Sequence, residues 1–315
     1  MRTRTKLATY GAVLVIVLGG GAGLGAAAGP IDVDSMESGE AAHSTPAGGD
    51  PTPVQLPGGL AVAQNGYRLV AESDTLAPGA PTEWTFRIVD AVGAPVTAYD
   101  EENERDLHLI VVDRNLVDYS HLHPTLDHSG TWSVELPALA SGSYRAFADF
   151  RPTGAEALTL GVDLAVTGPV PGVDLAVTGP VPGDDLPAPS DRDVVDGYEV
   201  SVEGEPRPGD SELAFTVRLD GEAVHTDPYL GSAGHLVAIR DGDLAYLHVH
   251  PVEGEGDEVR FAAEFPSAGT YRLFLDFSHG GEVRTAGFTV TVPDATAADG
   301  ASTPSPDAGA QDEGH

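Results

Sequence analysis

Cysteine is absent from the 315 residues of this chain. Its absence excludes disulfides, thiolate catalysis, thiolate zinc sites and a lipid attached to a cysteine behind a leader. Methionine is almost absent as well, because Met36 is the only one besides the initiator. Any ligand-binding chemistry must therefore rest on nitrogen and oxygen atoms.

Positive charge is also scarce. The chain has a single lysine, Lys6, and a formal net charge of -33 at pH 7. No nucleic-acid partner is expected, because neutralising phosphate requires a basic face. Cations are natural partners of such a surface, although acidity alone also serves to keep a protein soluble.

Outside the N-terminus, no stretch sustains a helical apolar period. At the N-terminus an uncharged, Gly/Ala-rich run reaches Pro30, and it follows the basic residues Arg2, Arg4 and Lys6. This pattern predicts export, with residues 1–30 acting as a membrane anchor or as a cleaved signal. We favour the anchor, which predicts a single-pass protein of the cell membrane with extracytoplasmic domains; cleavage would make it secreted.

The rest of the chain alternates between folded and low-complexity segments. Residues such as Trp84, Phe86 and Ile88 alternate with polar ones in short runs separated by turn signals, which is typical of β-sandwiches. We predict an all-β protein with two tandem β-sandwich domains behind the N-terminal membrane anchor. The predicted segments are the anchor at 1–30, a flexible acidic stalk at 31–58, domain 1 at 59–168, a Pro/Gly-rich linker at 169–193, domain 2 at 194–293 and a disordered tail at 294–315.

The two predicted domains are copies of one another. Gly66-Tyr67 matches Gly197-Tyr198, for example, and similar matches continue to the end of both copies. A second repeat joins them, because residues 161–171 recur unchanged as residues 172–182. One of these segments is expected to be the last strand of domain 1, and the other, bracketed by prolines, to be linker.

Each copy carries the same histidine pattern at a constant offset of 127 residues. Residues i and i+2 of a strand share a face, so the closely spaced histidines of each copy project together. Two-residue turns at Arg114-Asn115 and Asp241-Gly242 would place the remaining histidine directly opposite the first of that pair. Three imidazoles converging in each domain predict one three-histidine metal site per domain. The predicted ligands are His108, His121 and His123 in domain 1 and His235, His248 and His250 in domain 2.

A second interpretation is that the histidines are polar residues that cap a core, because they share a strand face with Val237 and Ile239. Metal binding is favoured, since buried imidazoles without a common partner would leave costly unpaired nitrogens. Asp149 and Asp276, again 127 residues apart, are candidate fourth ligands. Strand alternation argues against this role, because it places Asp276 opposite the core face of its strand, and anchoring of a strand end is the alternative.

The ion is predicted from ligand type. Imidazole suits Cu(II), Zn(II) and Ni(II), and without sulfur ligands a cuprous site is not expected. A divalent ion is therefore predicted as the cofactor, with copper preferred by its place in the affinity order and zinc as the alternative.

The motifs also carry a resemblance. Residues 106–112, His121-Leu122-His123-Pro124 and Phe147-Ala148-Asp149-Phe150 resemble exported bacterial proteins labelled as heavy-metal-binding or copper-resistance-like, and the second copy is similar to their second half. The resemblance implies a membrane-tethered protein that handles copper and whose two domains are Ig-like or cupredoxin-like β-sandwiches. It also implies that the six histidines, Asp149 and Asp276 form its sites.

We therefore expect an extracytoplasmic metal-binding protein, with a membrane metal transporter as a candidate partner. The alternative is a non-metal cell-surface interaction module made of tandem β-sandwiches. No nucleophile–base pair and no phosphate loop stand out in the sequence, so we do not expect an enzyme.

Overall fold

The computed structural model describes residues 57–168, 185–247, 249–252, 254 and 256–294. All regular secondary structure in these ranges is β-strand, which confirms the predicted fold class. The predicted anchor at 1–30 and the copy of the short repeat at 172–182 lie outside the described residues. Within the described part, no helix is long and apolar enough to cross a membrane.

The described strands number 21. Those of the first domain are β1 (Ala63–Gln64), β2 (Tyr67–Ala71), β3 (Thr75–Leu76), β4 (Thr82–Val89), β5 (Tyr99–Asp100), β6 (Leu107–Asp113), β7 (Tyr119–Leu122), β8 (Thr125–Leu126), β9 (Trp132–Leu136), β10 (Gly142–Pro152) and β11 (Leu158–Val166). Those of the second are β12 (Arg192–Val195), β13 (Tyr198–Glu203), β14 (Gly209–Leu219), β15 (Glu222–Ala223), β16 (His235–Arg240), β17 (Tyr246–Leu247), β18 (Val249–Val252), β19 (Glu258–Phe265), β20 (Gly269–His279) and β21 (Glu282–Val292).

Each domain is a sandwich of an outer and an inner sheet. In domain 1 the outer sheet has the order β1-β2-β4-β9-β8 and the inner sheet β3-β11-β10-β6-β7, with β5 paired to β10. In domain 2 the outer order is β12-β13-β14-β19-β18, with β15 paired to β14, and the inner order is β17-β16-β20-β21. Apolar side chains that alternate with polar ones along the strands fill the space between the two sheets. On β4, for example, Trp84, Phe86 and Ile88 are buried there, while Glu83 and Arg87 are exposed.

The inner sheets are buried on both faces. All residues of β6 from Leu107 to Val112 are buried, a pattern typical of strands covered on two sides. Every second one lies in the core of its own sandwich. Ile110 and Val112 instead pack into a third cluster with Val237 and Ile239 of domain 2. We call this third cluster the interdomain cluster; its buried members are Ile110, Val112, Leu116, Phe147, Val237, Ile239, Leu244, Tyr246 and Phe274.

The interdomain contacts repeat when the two domains are exchanged. Tyr119 of domain 1 stacks on Phe274 of domain 2, with ring centroids 4.0 Å apart and an interplanar angle of 11°. The equivalent residues, Tyr246 and Phe147, meet at 5.4 Å and 40°. Because the same patch of each copy contacts the other, the interface has the self-complementary character of a two-fold dimer interface.

The predicted hairpin register is wrong by two positions. On β6 and β7 the residue opposite His121 is Ile110 rather than His108. The equivalent hairpin pairs Ile239 of β16 with Tyr246 of β17, which shifts it in the same direction. Because side chains alternate with a period of two, this shift leaves the histidines on their predicted face.

The shift arises because each predicted two-residue turn is a four-residue loop. The first loop is closed by a hydrogen bond from the Asp113 amide to the Asp118 carbonyl, and the second by one from Arg240 to Ala245. Each loop contains a fully buried leucine of the interdomain cluster with positive φ, Leu116 at 59° and Leu244 at 60°. Burial of these leucines offsets the strain of the left-handed conformation.

Candidate functional site

Histidines from both domains meet at one place beside the interdomain cluster. His108 on β6, His121 on β7 and His235 at the start of β16 each offer a ring nitrogen, and these three atoms all lie within 4.8 Å of one another. The rings of the equivalent residues His108 and His235 stack on each other at 5.2 Å and 13°. The structure therefore places His235 with the histidines of domain 1 in one shared cluster.

His123 adds a fourth imidazole at the margin of this cluster. It follows β7, and its ring centroid lies 5.2 Å from that of His108 and 4.9 Å from that of His121. The Nε2 atoms of His123 and His235 are buried, and no described residue forms a hydrogen bond with them. Buried nitrogens without partners destabilise a fold unless they meet a ligand.

A backbone carbonyl fixes the proton of His108. Its Nε2 lies 3.0 Å from the carbonyl oxygen of Glu102, which can only accept a hydrogen bond, so Nε2 carries the proton. That carbonyl is held by a tight turn in which the central residues Asn103 and Glu104 both have positive φ, as in type I′ turns. The Nδ1 atom of His108 is thus left with a lone pair.

A carboxylate of the other domain fixes the proton of His121. Its Nδ1 lies 2.7 Å from Oδ2 of Asp276 on β20, and both side chains are almost fully buried. Asp276 also accepts hydrogen bonds from the hydroxyls of Tyr119 and Thr285. While Asp276 is ionised it can only accept, so His121 donates from Nδ1 and its Nε2 atom carries a lone pair.

The two lone pairs point at each other. Nδ1 of His108 and Nε2 of His121 are only 3.0 Å apart. With both protons held elsewhere, the contact is repulsive unless a cation lies between these nitrogens. This is the arrangement seen when histidines are oriented for a metal, with the distal nitrogen of each ring held by a carbonyl or carboxylate.

The electrostatics of the site disfavour a proton as that cation. Burial, together with the neighbouring His108, lowers the pKa of His121 to about 3. The pKa of His123 is also lowered to about 3, by burial and by His121 and His108. Burial lowers the pKa of His235 well below its usual value. At neutral pH these imidazoles are uncharged, which is the form that binds metal.

Burial also raises the pKa of Asp276 to about 6, against the opposing effect of its hydrogen bond from Thr285. The carboxylate is therefore ionised above about pH 6. Its described hydrogen-bond donors are Thr285, Tyr119 and His121, all neutral at pH 7.

The remaining predicted residues occupy other positions. Asp149 is half-buried on β10, where it lies opposite His108 and accepts a hydrogen bond from Thr159 at 2.8 Å. His250 lies on β18, an edge strand of the outer sheet, and is exposed. His248 lies outside the described residues.

Sequence reasoning missed the surroundings of the cluster. The sequence did not predict that the Glu102 carbonyl accepts from His108 or that Tyr119 donates to Asp276. For Tyr119 a signal was present, because Tyr119 and Tyr246 show the same offset of 127 as the histidines. Strand alternation predicted the face of Asp276 correctly. Asp276 lies off the sandwich core, and so does His235, directly opposite it on β16.

Comparison with known proteins gives the fold context. No curated protein matches the chain. Similar solved structures include the Escherichia coli adhesin FdeC, 15% identical with a TM-score of 0.22 over 74% of this chain and 66% of that chain. Domains 4–9 of the surface-layer protein SbsC are 13% identical, with a TM-score of 0.21 over 72% of this chain and 31% of that chain. The BSP domain of a biofilm-associated protein is 14% identical, with a TM-score of 0.19 over 72% of this chain and 30% of that chain. This chain thus spans about two thirds of the adhesin structure and less than a third of the other two, and likeness at this level carries no functional argument.

The resemblance to heavy-metal-binding or copper-resistance-like proteins is wrong. The family model that matches is described as a domain of unknown function, and it matches residues 61–168 and again residues 193–294. That description mentions neither copper nor a membrane span. The copper and transmembrane associations that the resemblance implied are therefore wrong as well, and the resemblance gives no support for zinc. The chain belongs to the family DUF8832 and contains two copies of its domain.

Proposed function

We propose that the two sandwiches together bind one divalent transition-metal ion, with His108, His121 and His235 as ligands and His123 as the fourth. The observation that carries this proposal is the pair of facing, unprotonated nitrogens on His108 and His121. The proposal rests on the geometry of this cluster alone and owes nothing to the family or to the similar structures.

The ligand set defines the class of ion. Neutral imidazoles suit Zn(II), Cu(II) and Ni(II), whereas Mg(II) and Ca(II) prefer oxygen ligands. Metal–nitrogen bonds of about 2.0–2.1 Å in a tetrahedral site put ligand nitrogens about 3.3 Å apart. The 3.0 Å between the two nitrogens of His108 and His121 is close to that value.

Charge balance supports the same conclusion. Asp276 is a buried carboxylate whose described donors are neutral at pH 7. A divalent ion on Nε2 of His121 would offset this negative charge through the imidazole ring. Asp276 is thus a positioning residue for His121, and as a direct ligand it is not required.

A second candidate is a cell-surface interaction module, and the observation that favours it is the architecture of two Ig-like sandwiches docked through their inner sheets. In β-sandwiches of this kind, loops cluster at the ends of the sandwich, where they can contact a partner protein. We propose an exported or surface location for either function, supported by the basic and then uncharged leader, and we propose that the chain is not an enzyme.

The test is a titration of Zn(II) into the purified, chelator-treated chain, followed by calorimetry, with Co(II) absorbance as a report on coordination. We expect one equivalent of Zn(II) to bind tightly. His121→Ala should lower the affinity at least about a hundredfold, because it removes a ligand and takes from Asp276 one of its three described donors. The matched control, His250→Ala, removes an exposed imidazole and should change little.

Ca(II) serves as the control for binding to the acidic surface. A second tight equivalent of Zn(II) that disappears in His250→Ala would contradict the single shared site. Zn(II) binding no tighter than that of Ca(II) would overturn the metal proposal and leave the interaction module.

A further inference from the structure

We propose that the metal ion controls the docking of the two sandwiches, so that ion binding and docking form one equilibrium. This inference rests on the proposed function, and it names how that site is regulated. It follows from the origin of the ligands. His108 and His121 belong to domain 1, whereas His235 and the positioning residue Asp276 belong to domain 2.

The interface is distinct from the domain cores. Each sandwich has its own core cluster, and the interdomain cluster shares no member with either of them. Loss of an interdomain side chain therefore weakens docking without opening a sandwich. Docking is also supported by a hydrogen bond between the Tyr246 amide and the Gly58 carbonyl, at 2.9 Å.

The site is complete only in the docked form. When the domains separate, His121 loses Asp276, and the cluster loses His235. An ion that binds only the docked form shifts the equilibrium toward it. Conversely, the apparent affinity for the ion decreases in proportion when the docked fraction of the ion-free chain decreases.

The experiment compares two isoleucines of equal burial. Ile239 is fully buried in the interdomain cluster, and Ile88 is fully buried in the core of domain 1. Truncation of either removes the same atoms, but only Ile239→Ala weakens docking. Zn(II) affinity is measured for the full chain and for both variants.

Docking is read out independently by distance. Because the chain has no cysteine, Val92→Cys in domain 1 and Val194→Cys in domain 2, at positions 88% and 69% exposed, give two unique sites for spin labels. The distribution of label-to-label distances is then recorded by pulsed electron spin resonance, with and without saturating Zn(II).

We expect Ile239→Ala to bind Zn(II) about tenfold more weakly, as when the docked fraction falls to about one tenth. Without Zn(II) its distance distribution should be broad, and saturating Zn(II) should narrow it to that of the parent chain. Ile88→Ala should keep its affinity within about twofold. If Ile239→Ala fails to fold, Ile239→Val gives a milder change that should act in the same direction.

The outcomes separate the two proposals. If the parent chain binds one Zn(II) while Ile239→Ala matches Ile88→Ala in affinity, and Zn(II) leaves the distances unchanged, the coupling is overturned and the metal site stands. If the parent chain does not bind Zn(II), both proposals fail.

Discussion

The equivalent histidines His123 and His250 lie in different surroundings, because the chain leaves the inner sheet at different points in the two domains. In domain 1, β7 stays on the inner sheet to Leu122, and the chain joins the outer sheet at Thr125. In domain 2, β17 ends at Leu247, and β18 already belongs to the outer sheet at Val249. Val249 is the counterpart of Leu122, so the crossing occurs earlier in the second copy.

This difference decides which histidines can meet. The late crossing leaves His123 beside His108 and His121. The early crossing carries its counterpart His250 to the exposed edge of the outer sheet. Equal spacing in sequence therefore gives His123 and His250 unequal surroundings, and among the described residues domain 2 contributes to the cluster through His235 and Asp276.

The largest expected effect compares the two interdomain phenylalanines. Phe274→Ala should lower the free energy of unfolding by about 3–5 kcal/mol, because it removes a large buried side chain. The loss of unfolding free energy for Phe147→Ala should be smaller by about 0.5–1.5 kcal/mol. The reason is that Phe274 stacks closely on Tyr119, whereas Phe147 meets Tyr246 at a larger distance and angle. Urea unfolding in metal-free buffer measures both. A larger loss for Phe147→Ala would show that the close stacking of Tyr119 on Phe274 does not make that half of the interface the more stabilising one.

The next effect compares the two aspartates. Asp276→Asn should weaken Zn(II) binding about 10- to 100-fold, because an amide holds the His121 proton less strongly than a carboxylate does. Asp149→Asn, the equivalent change in domain 1, should have a smaller effect. Calorimetric titration of both variants provides the measurement, and equal losses would point to a second site built around Asp149.

The smallest expected effect is a pH dependence of stability that arises from the buried side chains of the histidine cluster. His121 and His123 have pKa values lowered to about 3, so the unfolded chain takes up protons first. Their contribution to stability is present above about pH 6.5 and is lost as the pH falls toward 3. Asp276, with its pKa raised to about 6, acts in the opposite direction, since its contribution is lost as the pH rises from about 4 to 6.

His121, His123 and His235 all oppose Asp276, so the metal-free chain should unfold at a lower urea concentration at pH 5 than at pH 7.5. The double variant His121→Gln, His123→Gln should reduce this dependence, and His235 should account for part of what remains. An unchanged slope in the double variant would show that other groups titrate.

Sequence patterns predicted the all-β fold and the strand face of the histidines correctly. Turn residues such as Asp241-Gly242 predicted the wrong loop length, because the burial of Leu116 and Leu244 depends on the partner domain. Since the resulting shift equals the period of a strand, the predicted face survived it.

The shared histidine cluster could not be predicted from either copy alone. The buried run from Leu107 to Val112 indicates a strand covered on both faces, but it does not say what covers the second face. That His235 joins His108 and His121 depends on the two inner sheets facing each other, which is a property of the pair of domains.

The self-complementary interface resembles that of a homodimer, yet both halves belong to one polypeptide. A dimer of single domains would assemble only above its dissociation constant, and dilution would take its binding site apart. Covalent connection replaces that requirement with an effective concentration that is set by the segment between the domains. The histidine cluster can thus form in an isolated molecule at any dilution, and its two halves are free to evolve apart.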